Sequence, residues 1–261
     1  MHYAGIDIGA ATAKAVIVDR EGRVAAHAVS AAGYNRRAAA EAVFADALRA
    51  AGLEAAVVAF VVATGYGRGQ VDFAARTFTE IRCHARGARA LLPEARTVID
   101  IGGQDSKVIA LEEGGAVRDF AMNDKCAAGT GRFLEVMARA LEADADGLQG
   151  LAARSRAPVP ISSTCAVFAE SEVVSRLASG AAREDIAAGI HEAVASRIRA
   201  LAGTLAVRDA VALTGGVSRN GGVVRALEAA LGRPVLVPPL AQAAGALGAA
   251  LFALSMAGEG A

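Results

Sequence analysis

The chain has 261 residues and a mass of 26.3 kDa, enough for one large or two small domains with ordinary hydrophobic cores. Hydrophobic residues make up 54% of it, and 27 Lys and Arg balance 27 Asp and Glu, so the formal net charge is zero. This balance excludes the basic surface typical of proteins that bind nucleic-acid duplexes, and we predict no nucleic-acid partner.

The apolar stretches of the sequence are short or rich in glycine and alanine. Residues 57–64 and 243–257 both fall below the roughly 20 strongly apolar residues that span a bilayer. The N-terminus has no basic region followed by an apolar run and reaches Asp7 at once. The three cysteines, an odd number, argue against a disulfide framework and fit a reducing compartment. We therefore predict a cytoplasmic protein that does not bind a membrane.

In chain order, the first predicted elements form a three-stranded meander. Short runs rich in β-branched residues, separated by glycine-containing turns, occur at residues 3–9, 13–19 and 24–29. Apolar residues at helical spacing then predict a helix over Arg36–Ala51, and the apolar run at 57–63 predicts a buried strand.

A glycine-rich patch at residues 65–69 and a helical pattern over 80–92 follow. Pro93 breaks that pattern, so we expect a domain boundary near it. Beyond it, a second meander is predicted, followed by four helices, two strands and a final alanine-rich helix. The helices are expected at 129–141, 164–178, 183–205 and 220–231, the strands at 209–213 and 235–237, and the final helix from Gln242.

The second meander repeats the pattern of the first. The sequence Asp-Ile-Gly at residues 7–9, followed by Lys14, is echoed by Asp-Ile-Gly at residues 100–102, followed by Lys107. Asp and Lys are seven residues apart in both copies. Each copy ends one apolar strand, makes a tight turn and opens a second strand, and the second copy continues to a third strand at 117–121. The repeat indicates an internal duplication.

The two Asp-Ile-Gly turns have the residue types that bind a phosphorylated ligand. Glycine lets backbone N–H groups approach a phosphate, and an Asp at a strand end can hold a divalent cation through water. A single turn of this kind is also typical of a tight hairpin with a capping Asp. Two turns with matched spacing favour two phosphate hairpins that face each other across a cleft.

Residues 213–220 add a glycine pair between a strand end and a helix, where a backbone can lie against a base or a ribose. A lone pair of this kind is as common in a plain strand-to-helix turn. Placed after the two hairpins, it completes a pattern that resembles the actin, hexokinase and sugar-kinase superfamily.

The superfamily resemblance implies an α/β protein with a duplicated actin-like ATPase (ribonuclease-H-like) fold, in which two half-domains surround a nucleotide cleft. We assign residues 1–93 and 241–261 to the first half and residues 94–240 to the second. The resemblance also implies that ATP hydrolysis with Mg²⁺ is coupled to closure of the two halves. A small-metabolite kinase and a nucleotide-dependent scaffold are alternatives within the superfamily.

Two cysteines each precede a predicted helix. At a helix N-terminus the positive end of the dipole stabilises a thiolate, which favours metal or cluster ligation by Cys126 and Cys165. Spacing alone also allows each to be a small buried hydrophobic residue, the role that we assign to Cys83. Four thiolates usually hold a 4Fe-4S cluster, so a twofold homodimer would supply the set that one chain cannot.

A more specific resemblance runs through most of the chain. Several segments together resemble the ATP-dependent activators of 2-hydroxyacyl-CoA dehydratases and the ATPase subunits of benzoyl-CoA reductase: residues 100–107, 123–135, 162–172, 65–68, 79–85 and 245–250. This resemblance implies an oxygen-sensitive 4Fe-4S cluster, one per homodimer or per heterodimer with a paralogous subunit, with Cys126 and Cys165 as ligands. It also implies that ATP hydrolysis accompanies transfer of one electron from reduced ferredoxin or flavodoxin to a partner acyl-CoA dehydratase or reductase.

The two hairpins and the glycine pair supply the candidate site residues, and Gln104 is added by analogy with the water-positioning glutamines of other nucleotide hydrolases. Asp7 and Asp100 would hold Mg²⁺ through water, and Gln104 would orient the attacking water, although it could be a loop residue without a function. The candidate contacts to nucleotide are Gly9, Ala10, Thr12 and Lys14 on one side, Gly102 and Gly103 on the other, Gly129 and Gly131 at the ribose, and Gly215, Gly216 and Asn220 at the adenosine.

The first hairpin departs from the family pattern. Ala10 and Ala11 stand where the family usually has consecutive Ser or Thr. Up to two hydroxyl contacts to phosphate are therefore missing, each worth about 0.5–1.5 kcal/mol, so we expect a difference in nucleotide affinity or turnover. His84 and His191 lie in helical stretches without metal-ligand spacing, and we assign both to structural roles.

Overall fold

The computed structural model describes residues 1–162 and 165–258, which contain ten strands and eight helices. The strands are β1 (His2–Ile8), β2 (Thr12–Val18), β3 (Val24–Ala31), β4 (Val58–Thr64), β5 (Arg76–Thr77), β6 (Thr97–Ile101), β7 (Ser106–Leu111), β8 (Val117–Asn123), β9 (Val211–Thr214) and β10 (Val235–Leu236). The helices are α1 (Arg36–Ala51), α2 (Glu80–Leu91), α3 (Gly131–Ala140), α4 (Ala145–Ala152), α5 (Ala166–Ala178), α6 (Arg183–Ala202), α7 (Gly221–Leu231) and α8 (Ala244–Gly258).

Two five-stranded sheets have the same topology. Their strand orders are β3-β2-β1-β4-β5 and β8-β7-β6-β9-β10. In each sheet the first three strands are antiparallel neighbours, and the fourth is parallel to the first. β1, β6 and β7 are almost wholly buried, as expected of continuous apolar runs that are covered on both faces. The predicted duplication is confirmed.

Two helices lie between the sheets. α8 packs on β1, β2 and β4, whereas α2 packs on β6 and β7 and also crosses α8. The crossing is close because a Cβ atom at Gly87 would overlap the Ala244 carbonyl oxygen, and one at Gly248 would overlap the Cys83 carbonyl oxygen. Each sheet is thus covered by a helix that follows the other sheet in the chain. The predicted division into halves at residues 93 and 241 stays a prediction.

Most predicted elements are found, with shifted ends. α3 begins two residues later than predicted and α6 ends three residues earlier. α7 begins at Gly221 because Asn220 caps it: the Asn220 side-chain oxygen accepts hydrogen bonds from two backbone N–H groups. The predicted helix start at Thr164 lies outside the described residues, as do residues 259–261 of the predicted first half.

The sequence analysis missed α4 and the short strand β5. α4 contains two glycines and buries only Leu148, so neither helix propensity nor an apolar stripe marks it in the sequence. It is held by its N-cap, where the Asp144 carboxylate accepts a hydrogen bond from the Gly147 N–H at 2.7 Å. In the described part of the chain, no helix is both long and apolar enough to cross a bilayer.

Candidate functional site

The turns at the ends of β1 and β6 open into one cleft of about 570 Å³. Thirteen of the residues predicted from the sequence line it together: Asp7, Gly9, Ala10, Thr12, Lys14, Asp100, Gly102, Gly103, Gln104, Gly131, Gly215, Gly216 and Asn220. The structure therefore brings both hairpins and the glycine pair to one place, and the role of each residue there stays a prediction.

Three of the predicted site residues do not line this cleft. Gly129 adopts a positive φ of 84° and faces α6, where a Cβ atom would lie 2.8 Å from the Cγ of Arg197. Cys126 and Cys165 also lie outside the cleft wall; both are free, half-buried thiols. A nucleotide bound in the cleft would therefore not contact these cysteines directly, and could affect them only by moving residues that lie between.

In the first hairpin, the Asp and Lys of the repeat are cross-strand neighbours. Asp7 on β1 pairs with Lys14 on β2, which is why seven residues separate them in the sequence. The Lys14 Nζ lies 3.1 Å from Asp7 Oδ2. A Cβ atom at Gly9 would lie 3.2 Å from that same Nζ, so the glycine leaves room for the ammonium group beside the turn.

In the second hairpin, Asp100 and Lys107 pair in the same register, but more carboxylates surround the lysine. Lys107 Nζ lies 2.9 Å from Asp105, 3.3 Å from Asp100 and 3.5 Å from Glu80 on α2. Burial disfavours the charged lysine, but the three carboxylates outweigh it and raise the Lys107 pKa above its ordinary value. Lys107 is therefore a charged group buried at the base of the cleft.

Asp100 is held from three elements. Its Oδ1 accepts a hydrogen bond from the Thr214 hydroxyl at 2.8 Å and lies 3.1 Å from His84 Nδ1, while its Oδ2 faces Lys107. Burial alone would raise the pKa of Asp100, but the interactions with His84 and Lys107 and the Thr214 hydrogen bond outweigh it and lower the pKa to about 2. Asp100 thus stays a carboxylate and can attract a cation. At Glu80, by contrast, burial is the larger effect and raises the pKa of the carboxyl group.

A glycine lies directly behind each hairpin aspartate. Gly65 follows β4 with a φ of 85°, and Gly215 follows β9 with a φ of 86°. A Cβ atom at Gly65 would overlap Asp7 Oδ1, and one at Gly215 would lie 2.9 Å from Asp100 Oδ1. The duplication therefore extends to the strands parallel to β1 and β6, and both positions require glycine for conformation and for space.

The two turns touch each other and one of them contacts α3. A Cβ atom at Gly103 would lie 2.6 Å from the Ala11 side chain, so the turns meet where neither residue has a larger side chain. The Gly102 carbonyl oxygen accepts a hydrogen bond from the Gly131 N–H, and the Gly103 carbonyl oxygen accepts one from the Arg132 N–H, both at 2.9 Å. The turn of the second hairpin is thus hydrogen-bonded to the N-terminal residues of α3.

Asn220, which also lines the cleft, is the N-cap residue of α7. Its Oδ1 accepts hydrogen bonds from the N–H groups of Gly222 at 2.9 Å and Val223 at 3.1 Å, and it lies 3.1 Å from His191 Nε2. Since this oxygen is taken up by the helix, a contact of Asn220 with a nucleotide would use its amide nitrogen. His191 is buried, as its predicted structural role requires, with Nδ1 2.7 Å from the Ala187 carbonyl oxygen.

The two candidate ligand cysteines lie near helix starts. Cys165 is the N-cap residue of α5, and the adjoining segment is held to that helix by a hydrogen bond from the Ser162 N–H to Glu172 at 2.7 Å. Cys126 lies five residues before α3, and its carbonyl oxygen accepts a hydrogen bond from the Asn123 side chain at 2.8 Å. Among the residues that the structure describes, no group of three or more His, Cys, Asp or Glu is arranged to hold a metal ion.

Several polar residues of the site were missed by the sequence analysis: Glu80, His84, Asp105, Lys107 and Thr214. Lys107 could have been found, because it occupies the place of Lys14 in the repeat. Glu80 and His84 could not, because they come from α2, whose packing against the second sheet carries no signal in the spacing. His84 was assigned to a structural role, but its side chain lines the cleft beside Asp100.

Two relatives whose names state a function match nearly the whole of this chain. The activator of lactoyl-CoA dehydratase from Anaerotignum propionicum is 47% identical over 257 residues, which cover 98% of this chain and 99% of the relative. One of the benzoyl-CoA reductase subunits from Thauera aromatica is 35% identical over 259 residues, which cover 95% of this chain and 92% of the relative.

Solved structures agree with these relatives. Component A of the (R)-2-hydroxyglutaryl-CoA dehydratase of Acidaminococcus fermentans matches with a TM-score of 0.95 and 46% identity over 99% of both chains. The activator of the 2-hydroxyisocaproyl-CoA dehydratase from Clostridium difficile, solved with bound ADPNP, matches with a TM-score of 0.94 and 44% identity over 100% of this chain and 97% of that one.

The fold is shared more widely. A ROK family glucokinase from Streptomyces griseus has a TM-score of 0.61 at 18% identity, over 98% of this chain and 100% of that one. The predicted actin-like ATPase fold is therefore confirmed. The model of the BadF/BadG/BcrA/BcrD ATPase family matches residues 4–253. This chain belongs to the BadF/BadG/BcrA/BcrD ATPase family.

Proposed function

We propose that the chain is an ATP-dependent activator that passes one electron, carried on a 4Fe-4S cluster, to a partner acyl-CoA dehydratase or reductase. The names of its relatives support an activator of an acyl-CoA dehydratase or a subunit of a reductase; the cluster and the electron transfer are the further part of the proposal. Reduced ferredoxin or flavodoxin would supply the electron, and two copies of the chain, or this chain and a paralogous subunit, would share one cluster. The protein would work in the cytoplasm.

ATP would bind in the cleft between the two hairpins. Asp7 and Asp100 would hold Mg²⁺ through water, because both carboxylates end strands at the cleft. Lys14 and the Ala10 N–H group would contact the phosphates, and Gln104 would orient the attacking water. The other predicted donor, the Gly9 N–H group, already donates a hydrogen bond to the Thr12 carbonyl oxygen at 3.0 Å. The ADPNP bound to the Clostridium difficile activator supports a nucleotide in this fold.

The donor set of the two half-buried cysteines fits a cluster. Thiolates are the usual ligands of iron–sulfur clusters, and Cys126 and Cys165 are free thiols near the starts of α3 and α5. One chain supplies two such thiols, so a second chain would supply the other two. When bound, the cluster would supply a centre that accepts and donates one electron.

One observation carries the coupling of nucleotide to cysteine. The second hairpin turn accepts hydrogen bonds from the N–H groups of Gly131 and Arg132, at the first turn of α3. Cys126 lies five residues before that turn, in a loop held by Asn123 through the carbonyl oxygens of Cys126 and Ala128. A movement of the turn on ATP binding or hydrolysis would therefore displace the start of α3 and the Cys126 loop with it.

The first test is the iron and acid-labile sulfide content of protein purified without oxygen. We expect about four of each per dimer, lost in the Cys126→Ser, Cys165→Ser double variant. Cys83→Ala is the matched control, because Cys83 is buried in the core between α2 and α8, and it should keep the full iron content. Absence of iron from the wild type even after reconstitution would overturn the electron-donor proposal and favour a kinase or a switch ATPase.

Membership of a benzoyl-CoA-reductase-like complex, as its ATPase subunit, is the second candidate, supported by the Thauera aromatica relative. A stand-alone activator would purify as a dimer and bind its partner only transiently, whereas a reductase subunit would stay in a stable complex. Size-exclusion chromatography of protein isolated from its own host, without oxygen, separates the two cases.

A further inference from the structure

We propose that His84 is a positioning residue for ATP hydrolysis, which holds the Asp100 carboxylate of the second hairpin from α2, a helix that lies between the two sheets. In that reaction a water oxygen bonds to the γ-phosphorus while the bond to the β,γ-bridging oxygen breaks, and ADP, phosphate and a proton are released. His84 would act on the step through Asp100, without contacting the nucleotide.

One edge of the imidazole faces the second hairpin. His84 is only 4% exposed, and its Nδ1 lies 3.1 Å from Asp100 Oδ1. The same oxygen accepts the Thr214 hydroxyl hydrogen bond, and the other carboxylate oxygen faces Lys107. Strands β7 and β9 thus fix Asp100 from within its own sheet, and His84 is the contact to it from α2.

The other edge of the ring faces the first hairpin. A Cβ atom at Gly245, at the start of α8, would lie 2.9 Å from His84 Nε2 and 3.2 Å from Asp7 Oδ2. The ring and the Asp7 carboxylate therefore both border Gly245, which leaves space for the two groups. His84 thus contacts Asp100 of the second hairpin and shares its other neighbour, Gly245, with Asp7 of the first.

The contacts of His84 differ from those of a histidine that only packs. Both ring nitrogens of His191 have an oxygen partner: Nδ1 lies 2.7 Å from the Ala187 carbonyl oxygen and Nε2 lies 3.1 Å from Asn220 Oδ1. In the described part of the chain, His84 Nδ1 has no aligned hydrogen bond although it lies 3.1 Å from a carboxylate. Catalytic hydrogen bonds are often misaligned without substrate and tighten in the complex. Closure of the halves on ATP would align this one.

Three substitutions at His84 separate positioning from packing. His84→Asn keeps a donor near the position of Nδ1, His84→Gln keeps one near the position of Nε2, and His84→Leu keeps neither. If the Asp100 contact positions the site, His84→Gln and His84→Leu should lower the kcat of ATP hydrolysis about 10²-fold, with the Kd of ADPNP changed less than about threefold. His84→Asn should recover most of the lost kcat.

Cys83→Ala is the control, because it alters the neighbouring buried position of α2 and removes no hydrogen bond or ion pair of Asp100. Its kcat should stay within about twofold of the wild-type value. The shift of its urea midpoint measures how much a change in the packing of α2 destabilises the protein. Equal kcat in all His84 variants, or a kcat that follows the urea midpoint regardless of the side chain introduced, would overturn the inference. Hydrolysis is measured on wild type and variants purified without oxygen, with their iron content determined separately, so the inference and the proposed electron-donor function can fail separately.

Discussion

The two hairpins share their strand register and differ in what surrounds the lysine. In the first, Lys14 faces one carboxylate, that of Asp7, and 12% of its side chain is exposed. In the second, 2% of the Lys107 side chain is exposed, and three carboxylates lie within 3.5 Å of its ammonium group. The same Asp-to-Lys spacing has therefore produced two different electrostatic environments.

Under the proposed function, this difference would give the two hairpins different tasks, which the repeat alone does not distinguish. The positive charge of Lys107 is already neutralised by carboxylates, so the second hairpin presents excess negative charge to the cleft, which suits a cation. Lys14 has a single partner and can turn its ammonium group towards a phosphate. The duplicated framework thus supplies the geometry, and the residues added from α2 and the second turn decide the chemistry of each side.

The largest effect expected from this comparison is on stability. Lys107→Met would leave the buried Asp100 and the half-buried Asp105 and Glu80 without their shared partner and should lower the free energy of unfolding by about 3–5 kcal/mol. Lys14→Met breaks one contact and should cost about 1–2 kcal/mol, while weakening ADPNP binding. Urea unfolding and a binding titration measure the two effects.

Arg37→Met is the control for charge removal, because Arg37 pairs with Glu41 and Asp72 on the exposed surface. It should cost no more than about 1 kcal/mol. If Lys107→Met and Lys14→Met lower the free energy of unfolding by similar amounts, the two hairpins are electrostatically equivalent and the comparison fails.

The second expected effect tests what the hairpins have in common. Gly65→Ala and Gly215→Ala should each lower the free energy of unfolding by at least about 2 kcal/mol, because both need a left-handed backbone and have no room for a Cβ atom. Gly52→Ala is the matched control: its φ is 65°, but nothing lies within 4 Å of the added Cβ, so it should cost about 1 kcal/mol. A loss at only one of the two hairpin glycines would break the symmetry inferred here.

The third effect concerns pH. The pKa of Asp100 is about 2 in the folded protein, below its ordinary value of about 3.9. The carboxylate therefore contributes about 2 kcal/mol above pH 4, and this contribution is lost as the pH falls from about 4 towards 2. Asp100→Asn should flatten the decline of stability over that range, as measured by urea unfolding at successive pH values. An equally steep decline in the variant would refute the assignment.

The smallest effect tests the alanines of the first turn. Ala10→Ser adds a hydroxyl where the family usually has one, and should tighten ADPNP binding by about 0.5–1.5 kcal/mol, or about 2- to 10-fold. Ala11→Ser is the comparison, because the Ala11 side chain already lies against Gly103. We expect little gain there, since a larger group would press the two turns apart. Isothermal titration separates the two outcomes.

The framework of the site could be predicted from the sequence because the repeat records it locally. Asp and Lys pair across a strand, and a glycine marks the turn, so Asp7, Lys14 and their counterparts follow from spacing alone. α4 could not be predicted, because its glycines and single buried leucine leave no helical pattern. Glu80 and His84 could not be assigned either, since their positions depend on how α2 packs against a distant sheet.

The exchange of α2 and α8 between the sheets affects how the molecule folds. α2 follows the first sheet in the chain and packs on the second, and α8 follows the second sheet and packs on the first. A chain cut near residue 93 would leave each piece without the helix that seals its own core. The two sheets are thus joined by an exchange of helices, so we expect neither piece to fold on its own.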